Sequence, residues 1–272
     1  MKPKVNDMRL RFQPIKLIAL ACALATPYCA SAQSKVRVVH VFVALADNQH
    51  QGIVPVPAKL GDGDAPATNL YWGAAFGVKS YLRASSDWQL ISAEPGPKPA
   101  ILERCVFEHR GDAIYLVADA YRGSQIREAV SDFLSAASGR DVQQFEVRNY
   151  GHSVELPING GADLAVYVGH DAFMDFQIEP ISGTKSTKPR TVIVLACASK
   201  QYFAPYLKHT GSVPLLWTTG LMAPEAYTLQ AALDGWIANE DAEQIRQRAA
   251  EAYDKYQHCG LRAARHLFAT GW

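Results

Sequence analysis

Apolar residues fall in short unbroken runs along this chain rather than in strict alternation. Residues 36–46 (VRVVHVFVALA) form the densest run, and similar ones follow at 113–118 (AIYLVA), 163–168 (DLAVYV), 191–196 (TVIVLA) and 213–218 (VPLLWT). A strand buried on both faces reads this way. Between the runs, apolar residues recur at helical spacing over 124–137, 224–238, 241–258 and 261–268, predicting helices. Ser124 is placed to cap the first of these, Gly139 to close it, and Pro224 to occupy the first turn of the second. Residues 69–82 also read as a helix, although Gly73 and Gly77 lower its propensity. A short strand is expected at 88–92, and 105–109 should pair with 113–118 as a hairpin around Arg110-Gly111-Asp112. Strands alternating with helices predict an α/β fold: a mostly parallel sheet with helices on both faces. With no internal repeat or linker, residues 33–272 read as one domain.

The N-terminus has a different texture. Lys2, Lys4, Arg9, Arg11 and Lys16 precede a nine-residue apolar run (LIALACALA), then Pro27 and Ala30-Ser31-Ala32. That order predicts a secretory signal peptide over residues 1–32, cut after Ala32, and hence a periplasmic or extracellular protein. The run is well short of the ~20 apolar residues a membrane span needs, so a spanning anchor is not expected.

Charge then narrows the partners. The 272 residues hold 27 Lys plus Arg and 26 Asp plus Glu. Removing a leader with five of the basic and one of the acidic side chains leaves 22 and 25, a formal −3. No basic patch for nucleic acid is expected. Cys22 and Cys29 leave with the leader, so Cys105, Cys197 and Cys259 remain, an odd number for an exported protein. One expectation is a Cys105–Cys259 disulfide with Cys197 free; the alternative is three separate, buried thiols.

In an open parallel sheet, reactive groups gather where strands end. Two runs end in nucleophile chemistry: Val168-Gly169-His170 and Leu195-Ala196-Cys197. On adjacent strands, the imidazole would take the thiol proton and the thiolate would attack a carbonyl. Taken singly, each has a plainer reading, Cys197 as a small buried hydrophobe and His170 as a loop residue.

This pattern resembles the caspase-like cysteine peptidases, which include the legumains, gingipains and separases. There one strand ends in His-Gly and the next in Ala-Cys. The resemblance implies a caspase-like fold, Cys197 as nucleophile, His170 as general acid/base, a peptide or protein substrate, and no cofactor. The run 43–48 (VALADN) is similar to the legumain segment whose Asn helps orient the histidine, which would give Asn48 that role. One departure matters. This chain has His170-Asp171, with its glycine at 169, so Asp171 stands in the oxyanion region, where a carboxylate would oppose the developing charge; the alternatives are that it points away or serves as an orienting partner that raises the histidine's basicity. Lys200 is near enough in sequence to favour a thiolate, or is simply solvated.

Other signals predict little. The segment 61–64 (GDGD) opens like a calcium loop, but the twelfth position is Gly73, so a turn is expected. Residues 183–187 (GTKST) lack phosphate-loop spacing. The eight histidines are scattered, and no metal site is predicted. Tyr253, Tyr256, His258 and His266 read as packing or surface positions. Three functional classes fit: an exported cysteine endopeptidase, an inactive relative serving as a binding or scaffold module of the cell envelope, and an unrelated α/β protein that binds a small molecule.

Overall fold

The computed structural model describes residues 35–149, 151–181 and 190–272, together with Met1, Pro3 and Lys4. The apolar run and cleavage site of the expected leader, and the 183–187 segment, lie outside the described residues. In chain order the elements are β1 (Arg37–Ala44), α1 (Val78–Ala84), β2 (Trp88–Pro95), β3 (Ile101–His109), β4 (Ile114–Tyr121), α2 (Ile126–Ala137), β5 (Gln143–Asn149), β6 (His152–Ile158), β7 (Leu164–Val168), β8 (Thr191–Leu195), α3 (Ser199–Thr210), β9 (Val213–Thr218), α4 (Ala226–Ile237), α5 (Ala242–Gln257), α6 (Leu261–Leu267) and β10 (Phe268–Ala269).

Eight strands form one sheet in the order β10-β9-β8-β7-β1-β4-β3-β2. Strands β9, β8, β7, β1 and β4 run parallel, while β10, β3 and β2 are antiparallel to their neighbours. The fold is therefore α/β with a mostly parallel sheet, as the unbroken apolar runs predict. Strand β1 explains why. Val39, Val41 and Val43 enter one core with residues of α1, α4 and α5, while Phe42 and Ala44 enter a second core with α2 and α3. Buried on both sides, the strand has no polar face to display. The β5–β6 hairpin packs Val147, Leu156 and Ile158 against Val38, Val106 and Val117, forming a third core.

Within β1, His40 is fully buried, as is Asp119 of β4, and both are paired. His40 Nε2 lies 3.0 Å from Asp119 Oδ2, and Arg104 of β3 donates to both Asp119 oxygens at 2.6 Å. Asn159 N donates to His40 Nδ1, so the imidazole is neutral and carries its proton on Nε2. Arg104 holds the Asp119 carboxyl below its ordinary range despite the burial that opposes ionisation.

Several local expectations are corrected. Residues 69–77 form turns, and α1 begins only at Val78. Asn69 spends its amide on the backbone, accepting from Ala46 N and Tyr71 N and donating to Ala46 O and Asp62 O, which competes with helix formation. Ser124 lies in a 3₁₀ turn (Gly123–Gln125), and no side chain caps α2. Pro224 precedes the N-cap of α4, Glu225, rather than sitting in the first turn. The β5–β6 hairpin, β10 and α3 were not predicted; α3 contains Pro205, which obscures its period. Cys105 and Cys259 are both free, one buried in β3 and the other exposed after α5, so the expected disulfide is absent.

Among the described residues, no helix is long and apolar enough to cross a membrane.

Candidate active site

Taken in sequence order, the five parallel strands lie in the spatial order 2-1-3-4-5, and their order reverses between β1 and β7. Ligand crevices form at the carboxyl edge beside such a reversal, because the flanking connections leave in opposite directions. His170 follows β7 at that point. Gly169 is what lets the chain pass: its φ is +147°, and a Cβ there would lie 2.8 Å from Ala44 O at the end of β1. The glycine at 169, one place before the histidine, is thus needed by the backbone of this chain.

Strands β7 and β8 pair in register, Val168 opposite Leu195, and Gly169 N still donates to Leu195 O at 3.2 Å. His170 and Cys197 follow two residues past the last pair, at matched places beyond the ends of these neighbouring strands. Both line one cavity of about 320 Å³, together with Gly52, Tyr71, Met222 and Glu225. Its walls are otherwise mainly aliphatic, and Val54 and Leu221 stand 85% and 75% exposed at its edge.

His170 is oriented by a residue the sequence reading missed. Asp175 Oδ2 sits 2.8 Å from His170 Nε2 and also accepts from Gly52 N at 2.9 Å. The carboxylate fixes the proton on Nε2 and leaves Nδ1 as the free acceptor. Asp175 follows a 3₁₀ turn (Ala172–Met174), which brings it back beneath the histidine. A carboxylate five residues after a strand-end histidine was the available signal.

Asn48 does not take this role. Its amide donates to Val56 O at 2.8 Å and accepts from Val56 N at 3.0 Å, closing the loop after β1, and it does not line the cavity. Asp171 also lies off the cavity wall. Its carboxyl is fully buried, with Oδ1 accepting from Phe173 N at 3.0 Å and Oδ2 without a partner. Burial, with the charge of Asp175 adding to it, pushes Asp171 up to about 7. The Lys200 ammonium lies over the Trp217 ring, 5.6 Å from its centroid, so it is engaged away from the thiol.

Cys197 sits where β8 turns into α3. The following residue, Ala198, holds a left-handed backbone (φ +47°), uncommon for a residue with a Cβ. Ser199 and Thr218 tie the turn down through Val194 O, Ala196 O and each other. The Cys197 sulfur donates to Met222 O and accepts from Met222 N, both at 3.4 Å. Burial first, and then the Asp171 charge, push the thiol up, while the Met222 N–H acts the other way. The resting cysteine is therefore a thiol. Compared with known protein families, curated proteins and solved structures, the chain matches none.

Proposed function

We propose that this protein is an exported, caspase-like cysteine hydrolase that cleaves a peptide or related carbonyl bond. Cys197 acts as nucleophile, His170 as general acid/base, and Asp175 as the group that orients the histidine. The observation that carries the reading is the matched placement of His170 and Cys197 in one cavity beside the reversal of strand order. Export rests on the basic and apolar N-terminal pattern in the sequence.

In this reading His170 Nδ1 takes the thiol proton as Sγ attacks the carbonyl carbon. Asp175 balances the imidazolium, and the Met222 N–H stabilises the thiolate. Collapse of the tetrahedral species breaks the bond to the leaving group, which takes the proton back from His170. Water then hydrolyses the thioester by the same exchange. Asn48, spent on its own loop, has no part in this scheme.

One observation favours the non-catalytic alternative: the thiol is pushed up and both its hydrogen bonds go to Met222. Electrophilic peptide probes that require acid/base assistance separate the two. With a panel of peptidyl acyloxymethyl ketones and intact mass, a hydrolase gives one adduct, lost in Cys197→Ala and strongly reduced in His170→Ala. Labelling unaffected by His170→Ala would overturn the dyad.

A further inference from the structure

We propose that Tyr71 is the side-chain oxyanion donor of this site, its phenol O–H hydrogen-bonding the carbonyl oxygen as negative charge builds on it. The inference rests on the cysteine-hydrolase reading and names a catalytic group for it.

Of the side chains lining the cavity, only Tyr71, His170 and Cys197 carry a hydrogen-bond donor. His170 is committed to Asp175 and to proton transfer, and Cys197 is the attacking atom. Tyr71 is left. It is 93% buried (7% exposed), and its phenol oxygen has no hydrogen-bond partner among the described residues. The hydroxyl oxygen is not sealed off in the core, so it is open to the cavity and free to donate to an acceptor that enters. Burial first, and then the charges of Cys197 and Glu225, raise the Tyr71 pKa, so the phenol keeps its proton at any working pH.

The backbone at Tyr71 is also tied down. Asn69, fully buried, accepts from Tyr71 N and binds both the N–H and the C=O of Ala46, two residues past the end of β1. The tyrosine is thereby fixed to the same sheet edge as His170. Preorganised donors of this kind do not have to reorient as charge develops. The residue after the histidine is Asp171, whose carboxyl is turned into the 172–174 backbone and adds no side-chain donor to the cavity.

In the step concerned, the Sγ–C bond forms and the carbonyl π pair moves onto oxygen, which accepts the Tyr71 hydrogen bond. The thiol proton resides on His170. Collapse returns the pair to the carbonyl and expels the leaving group, so Tyr71 itself neither gains nor loses a proton.

The test compares two reactions of Cys197. Acylation by p-nitrophenyl acetate passes through an oxyanion; alkylation by iodoacetamide does not. Tyr71→Phe should slow acylation about 10²-fold, with KM little changed and alkylation unaltered. Replacement of Tyr71 by 3-fluorotyrosine, which keeps the ring and the donor, should retain the acylation rate, and it covers the case in which the Phe variant folds poorly. If both variants acylate at the wild-type rate, the Tyr71 assignment fails while the hydrolase reading stands. If wild-type Cys197 alkylates but never acylates, the hydrolase reading fails and takes Tyr71 with it.

Discussion

Asp171→Asn should make this protein more stable at high pH and leave it nearly unchanged at low pH. The wild-type carboxyl is fully buried, and one oxygen has no partner. Its pKa is raised from 3.8 to about 7 by burial first, then by the Asp175 charge. The folded state therefore holds a proton on Asp171 between about pH 4 and pH 7 that the unfolded chain releases. Where the native state binds more protons, stability falls as pH rises. The contribution is complete below the unfolded value and is lost as pH climbs through about 7. A shift of about three units at 1.36 kcal/mol each makes the loss about 4 kcal/mol. Asparagine is the neutral isostere and can still accept from Phe173 N. Urea unfolding of wild type and variant from pH 4 to 8 reads the difference directly, because other titrating groups cancel in the comparison. The variant's advantage should grow from near zero at pH 4 to a few kcal/mol at pH 8. A difference that stays flat across the range would mean that Asp171 titrates normally and that its burial is compensated by a group this account omits. The same substitution removes a charge that pushes the Cys197 thiol up, so alkylation of Cys197 should quicken near neutral pH.

Three further outcomes are expected. A thiol reagent on the native, unreduced protein should react fast at exposed Cys259, slowly at half-buried Cys197, and at buried Cys105 only after unfolding; a single reactive thiol would restore the disulfide. Asp119→Ala strands Arg104 and His40 in the core and should cost about 3–5 kcal/mol by denaturant unfolding, and a cost below about 1 kcal/mol would show the network to be solvated. Gly169→Ala drives a Cβ into Ala44 O at a positive φ and should cost about 1–3 kcal/mol, with acylation of Cys197 slowed through a displaced His170, whereas unchanged melting and unchanged rate would remove the glycine from the site's architecture.

The sequence by itself determined the five parallel strands and the mostly parallel character of the sheet, because β1, β4, β7, β8 and β9 pack into the cores on both faces and carry that burial as unbroken apolar runs. It also marked His170 and Cys197, since a polar reactive residue at the end of such a run stands out without any knowledge of neighbours. The fold of 69–77 was not legible, because Asn69 finds its partners in Ala46, distant in sequence, and a helical period means nothing once the amide prefers those bonds. Asn48 and Asp171 show the same limit. Each sits at the position a family pattern would give a role, and only the tertiary structure decided where its side chain points: one into its own loop, the other into the backbone of a 3₁₀ turn. Asp175 and Tyr71 join the site for the converse reason. Tyr71 carries no local signal and Asp175 only its place five residues after His170; Tyr71 reaches the cavity and Asp175 reaches His170 because the packing of β1, β7 and their following loops brings separate stretches of chain to one edge of the sheet.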